Sequence, residues 1–100
     1  MDFIDLTGSS GRVYRFRRWP DVGAHPPIAG NYALLTAGTH RLVEVGVLDD
    51  LSQAPRLLAS RLQKGALYTR FNVARSHREA DHGDLVQGQP DLALAAEHAV

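Results

Sequence analysis

Four arginines crowd one short segment of the chain: Arg12, Arg15, Arg17 and Arg18, the last three within Arg15-Phe16-Arg17-Arg18-Trp19. Guanidinium groups grip phosphates through paired N–H donors, and aromatic rings stack on bases. That mixture suits contact with single-stranded nucleic acid, and Arg15, Arg17 and Arg18 are its candidate contacts. A strand with one apolar face and arginines along its rim gives the same string, because edge strands carry charge as protection against pairing. A second cluster is His77, Glu79, Asp81 and His82. On a helix, His77 and Asp81 share one face, and Glu79 and His82 share another. One helix cannot aim all four at one metal, and a zinc site needs ligands from elsewhere, with His25 or His40 the conceivable donors. A solvated charged face is the expected role. Ser52 and Ser76 sit in no nucleophile elbow. No glycine-rich nucleotide loop is present.

Composition bounds the alternatives. The sequence has no cysteine, which removes disulfides, thiolate zinc sites and cysteine nucleophiles. Its 11 basic and 11 acidic residues cancel. That balance speaks against a strong, purely electrostatic nucleic-acid binder but leaves room for a local basic face. One hundred residues, 44% hydrophobic and 22% charged, predict a single domain over 1–100. No apolar run approaches a membrane span, and the start lacks the pattern of a signal peptide. The expectation is a cytoplasmic protein with no membrane partner.

Elements must position these groups. Residues 1–11 read as a loose lead-in ending in Thr7-Gly8-Ser9-Ser10-Gly11. Residues 12–19 alternate as a strand, with Tyr14 and Phe16 on one side and Val13, Arg15, Arg17 and Trp19 on the other. The Pro-rich stretch 20–29 is a loop. Residues 32–36 and 41–48 form an antiparallel hairpin closed by residues 37–40. In its second strand Val43, Val45 and Val47 face one side, opposite Leu42, Glu44, Gly46 and Leu48. Gly46 marks a bulge or the close approach of another group. A helix starts near Ser52 with Pro55 in its first turn and Ala54, Leu58, Leu62 and Leu57 as its inward stripe, ending at Gly65. Residues 67–71 read as a short strand or an ordered linker. A second helix, capped by Asn72, runs to about Val86 with Val73, Ala80 and Leu85 as its apolar contribution, and Gly88 and Pro90 end it. Residues 88–100 are a tail with a short helix over 92–99. The expected class is α+β: a small antiparallel three-stranded sheet, two main helices packed on one face, and a short C-terminal helix.

The unit Gly30-Asn31-Tyr32 … Glu44-Val45-Gly46, followed by Leu48-Asp49-Asp50-Leu51 and a helix, resembles the GIY-YIG nuclease family over residues 30 to about 64. There, two short strands carry two signature tripeptides and a helix follows. The resemblance implies a nucleic-acid-binding domain acting as a divalent-metal-dependent DNA endonuclease. It assigns Tyr32 to proton transfer or to orienting the attacking water. Arg56, or Arg61 as the second candidate, takes the arginine of the following helix, and Glu79 takes the glutamate that holds Mg²⁺ or Mn²⁺. Gly30 and Gly46 match the signature glycines. Glu44 stands in place of the second tyrosine, where an ionised carboxylate accepts a hydrogen bond but cannot donate one. Two further classes are open. One is the same scaffold without catalysis, still binding DNA. The other is a non-enzymatic protein–protein interaction module or small homo-oligomer, docking through the Pro-containing loop or residues 92–100.

Overall fold

A computed structural model describes residues 3–20, 25–36, 41–62 and 65–89, without the side chains of Arg61 and Leu62. The expected hairpin turn at 37–40 and the helix over 92–99 lie outside the described residues. The strands are β1 (Phe3–Thr7), β2 (Val13–Arg18), β3 (Gly30–Thr36), β4 (Leu42–Leu48) and β5 (Gly65–Phe71). They form one antiparallel sheet in the order β1-β2-β5-β3-β4. Between β4 and β5 come a 3₁₀ turn (Leu51–Gln53), α1 (Ala54–Leu57) and α2 (Ala59–Leu62), and α3 (Arg75–Gln87) follows β5. No helix among the described residues is long and apolar enough to cross a membrane.

The three-stranded expectation is corrected to five strands. The supposed lead-in is a strand: Ile4 pairs with Phe16 and Leu6 with Tyr14, so its two apolar residues join the apolar face of β2. The Gly-Ser-rich stretch is the turn of this hairpin. Gly11 sits at φ 89°, and the Gly8 N–H donates to the Arg12 carbonyl at 2.9 Å. A left-handed φ is open to glycine without steric cost. Residues 67–71, expected as a short strand or linker, belong to the central strand β5 (Gly65–Phe71), paired to β2 on one side and β3 on the other. Leu67, Tyr68 and Thr69 are all buried there, because both faces of the sheet are covered at that point.

Helices lie on both faces, not one. Strand alternation sends Tyr14, Phe16, Ala33, Leu35, Val45 and Tyr68 to the face where α3 inserts Leu85. Tyr32, Leu34 and Leu67 point the opposite way, onto Leu51, Ala54 and Leu58. The first predicted helix is broken at Leu58, whose backbone (φ −106°, ψ 11°) leaves the helical region. Asp50 rather than Ser52 caps its start, accepting from the Ser52 N–H at 2.9 Å. Leu57, expected inward, is exposed. The expected side for Leu42 is also wrong. Pairing jumps from Leu34↔Glu44 to Leu35↔Leu42, so Val43 is an extra residue and Leu42 turns to the α3 face.

Helix α3 begins at Arg75, not after a cap at Asn72, because the Asn72 amide is engaged elsewhere. Val73 and Ala80 are exposed, leaving Leu85 as the buried apolar anchor. Burying one leucine contributes about 1.5–3 kcal/mol. Polar groups supply the rest of the attachment. Asp81, expected on a solvated face, is buried and accepts from Arg70 Nη1 at 3.0 Å and Asn72 Nδ2 at 2.8 Å. Asn31 joins the ring, accepting from the same two groups at 3.2 and 3.0 Å and donating to the Arg78 carbonyl at 3.2 Å.

One turn further along α3, Asp84 ties the β1–β2 turn to the helix. It accepts from the Ser10 N–H at 2.9 Å, the Ser10 hydroxyl at 2.7 Å, the Ser9 hydroxyl at 3.0 Å and the Tyr14 hydroxyl at 2.8 Å. The bonds from Ser10 and then Tyr14 hold its carboxyl down to about 2. Burial, and then the bond to Asp84, push the Tyr14 phenol up to about 12. A carboxyl depressed in the fold contributes stability that is present above its unfolded pKa and lost as pH falls through its folded one. The thermal midpoint is therefore expected to drop between the ordinary value of 3.8 and about 2. Asp84→Asn should lower the midpoint at neutral pH and flatten that acid limb. Circular dichroism melts across this range check it, and an acid limb unchanged in the variant would refute it.

Candidate nucleic-acid interface

The strand register sets the candidate residues in rows on one face. Phe3 pairs with Arg17, Arg17 with Thr69, and Thr69 with Tyr32, so these four lie across the sheet on a single line. The next row on that face holds Asp5, paired with Arg15, and Phe71, paired with Gly30. Leu51, Ala54 and Leu58 cover this face over β3 and part of β5. Toward β1 and β2 it is open: Phe3 and Phe71 are 44% and 54% exposed, and Arg15 and Arg17 are exposed.

The sheet also parts here. Pairing between β2 and β5 covers Arg17↔Thr69 and Arg18↔Tyr68. Continued, the register would place Arg15 opposite Phe71, but the strands have separated by then. A hollow of about 270 Å³ opens at this place, lined by Arg15, Arg17, Arg18, Thr69, Arg70 and Phe71. Its remaining wall is Pro20, His25 and Pro26. No aspartate or glutamate is among these residues.

The lining is held in place. His25 is buried, flat against Trp19 (centroids 4.4 Å apart, planes 7° apart) and edge-on to Phe71 (5.5 Å, 86°). Its Nδ1 lies 2.9 Å from the Pro26 carbonyl, which only accepts, so Nδ1 carries a proton. Its Nε2 lies 2.9 Å from the Thr69 hydroxyl, the donor to it when the ring is neutral. These contacts orient the Phe71 ring while leaving more than half of it exposed. Arg15 lies 3.9 Å over the Phe3 ring and donates to both carboxylate oxygens of Asp5, at 2.9 and 3.0 Å. Those bonds hold the Asp5 carboxyl below its ordinary value. Arg70 is likewise paired, with Asp81. Arg17 and Arg18 form no ion pair among the described residues.

The predicted catalytic residues are dispersed. Tyr32 is buried on β3, its ring lying over Gly46 and its hydroxyl donating to Glu44. A Cβ on Gly46 would come within 2.4 Å of that ring, so of the two readings of this glycine, close approach is the correct one. Arg56 is on α1, on the same side of the sheet as Tyr32, but exposed, and hydrogen-bonds to no described residue. Glu79 is on α3 across the sheet, exposed and ion-paired with Arg75 at 3.3 Å. Tyr32 and Glu79 therefore face opposite sides. No group of three or more His, Asp or Glu placed to hold a metal occurs among the described residues. Of the predicted phosphate contacts, Arg15, Arg17 and Arg18 come together at the hollow. Arg61 is on α2, and its side chain lies outside the described residues.

Sequence reasoning missed His25, Thr69 and Phe71 as site residues. The one available signal was Phe71 at the odd end of an alternating run that also places Leu67 and Thr69 on its face. No known family model matches the chain, and no curated protein or solved structure matches it.

Proposed function

We propose that this protein binds single-stranded nucleic acid across the open face of β1, β2 and β5. The observation that carries this reading is the hollow itself: arginines and a rigidly backed, half-exposed phenylalanine meet in it, with no carboxylate among the described residues that line it. A base stacks on Phe71, and the neighbouring phosphates meet Arg17 and the free edge of Arg15. A duplex keeps its bases stacked on each other and offers nothing to Phe71, so single strands are preferred. Binding at this face calls for no metal. Cleavage by Tyr32, Arg56 and Glu79 has less support, since the phenol donates to Glu44 and the carboxylate of Glu79 lies beyond the sheet.

Fluorescence anisotropy with 3′-labelled DNA and RNA oligonucleotides at low salt tests the proposal. Phe71→Ala is expected to weaken binding by about 1–3 kcal/mol, the worth of one stacked base. Arg17→Ala should reduce the slope of log K against log salt by about 0.7, one phosphate contact on a single strand. Equal affinity for duplex and single strand, or binding indifferent to both substitutions, would overturn it.

A further inference from the structure

We infer that the hollow between β2 and β5 reads the phosphorylated end of a strand, a terminal phosphomonoester joined to its nucleoside, and not an internal stretch of backbone. This rests on the nucleic-acid reading above and narrows it. Three features point to an end. The first is charge. Arg15 is neutralised by Asp5 and Arg70 by Asp81, whereas Arg17, on the open face, has no ion-pair partner among the described residues, and Arg15 keeps one N–H edge that Asp5 does not occupy. An uncompensated guanidinium with that spare edge beside it suits a phosphomonoester, which offers three acceptor oxygens and close to two negative charges at neutral pH. An internal phosphodiester carries one.

The second is size. At about 270 Å³ the hollow lies just under the usual range of about 300–1,000 Å³ for ligand pockets, the scale of one small ligand. The third is the wall. Pro20 and Pro26 have fixed backbone angles, and His25 is wedged between Trp19, Phe71, Thr69 and the Pro26 carbonyl. A base on Phe71 then has its phosphate beside Arg17, with no second exposed ring among the described lining residues to receive the next base; Phe3, on the same face, has the Arg15 guanidinium over its ring.

The test compares one oligonucleotide sequence in four forms: 5′-phosphate, 3′-phosphate, both ends hydroxyl, and both ends blocked by a neutral spacer, each labelled internally. One phosphorylated form is expected to bind about tenfold more tightly than the hydroxyl form, the scale of one additional charge-assisted hydrogen bond. The preference should fade as pH falls through about 6, where the phosphomonoester takes up its second proton. Arg17→Ala should diminish the preference and Arg18→Ala, on the opposite face, should leave it, whereas Phe71→Ala should weaken all forms together and leave the preference standing. A nucleoside monophosphate that competes at the same site supports the inference and identifies a free nucleotide as a sufficient ligand. If the four forms bind equally, the terminal-phosphate inference fails while the nucleic-acid reading survives. If none binds, both fail.

Discussion

Asp81→Ala is expected to remove about 3–5 kcal/mol of stability, the cost of deleting one partner from a buried, hydrogen-bonded ion pair. Asp81 is the common acceptor for groups on three other parts of the chain: Arg70 on β5, Asn72 in the segment leading into α3, and, at a longer 3.5 Å, Arg12 and the Tyr14 hydroxyl at the start of β2. Its side chain is 10% exposed and that of Arg70 19% exposed, so losing the carboxylate leaves a largely buried guanidinium without its counter-charge. The Tyr14 ring, with the Arg70 guanidinium 4.9 Å from its centroid, does not substitute for it. A domain of this size has about 5–15 kcal/mol in total, so the variant should lie close to unfolding. At about 4–8 °C per kcal/mol, the thermal midpoint should fall by about 12 °C or more. Asp81→Asn keeps an acceptor and should cost less than the alanine. Urea unfolding of both variants checks the order and the size. A loss under about 1 kcal/mol for alanine, the level of an exposed pair, would mean that this ring is solvated and contributes little.

The same ring explains why part of the fold was hidden in the sequence. The β3–β4 hairpin was legible because its residues are local in the chain and their apolar pattern is strong. The alternation of β2 was legible for the same reason, and Tyr14 and Phe16 do face inward while Arg15 and Arg17 face out. Helix α3 was legible as a helix packed on the sheet, but the groups that fasten it were not. It fastens to the sheet through Asp81, Arg78 and Asp84, and hydropathy scores such residues as solvent-facing. Arg78 looks like a surface residue in the sequence, yet it is buried, donates to the Val73 carbonyl and pairs with Asp49 at 3.0 Å. Strand β1 is too short to show a period, and only its pairing to β2 reveals it. The hollow depends on where two strands distant in sequence stop pairing and on a histidine in a proline-rich loop. No local pattern encodes either.

Gly30→Ala is expected to cost at least as much as any cavity-free core change, about 3 kcal/mol, and more than Gly46→Ala. A Cβ on Gly30 would stand 2.0 Å from the Arg70 carbonyl oxygen and 2.8 Å from Leu51 Cδ1. Overpacking typically costs about 1–3 kcal/mol when side chains can rearrange. Here the nearest obstacle is backbone in a strand that must stay paired. Relief requires β3 to draw away from β5 at Gly30↔Phe71, which also strains the bond from the Asn72 N–H to the Ala29 carbonyl, 2.9 Å long. That movement displaces Phe71 from the hollow and Asn31 from the ring around Asp81. Gly46 meets a different obstacle, the Tyr32 ring at 2.4 Å, and a side chain can turn aside at the cost of its bond to Glu44. The two glycines that gave the sequence its nuclease-like look thus have sufficient packing reasons, one for a carbonyl and one for a phenol ring. Thermal melts of both variants, with oligonucleotide affinity measured alongside, test this. Gly30→Ala should lose stability and binding together, while Gly46→Ala should lose stability with binding kept, since Tyr32 is absent from the hollow's lining. If Gly46→Ala proves the more damaging for affinity, then the Tyr32 surface, not the open side of β2 and β5, is where the ligand sits.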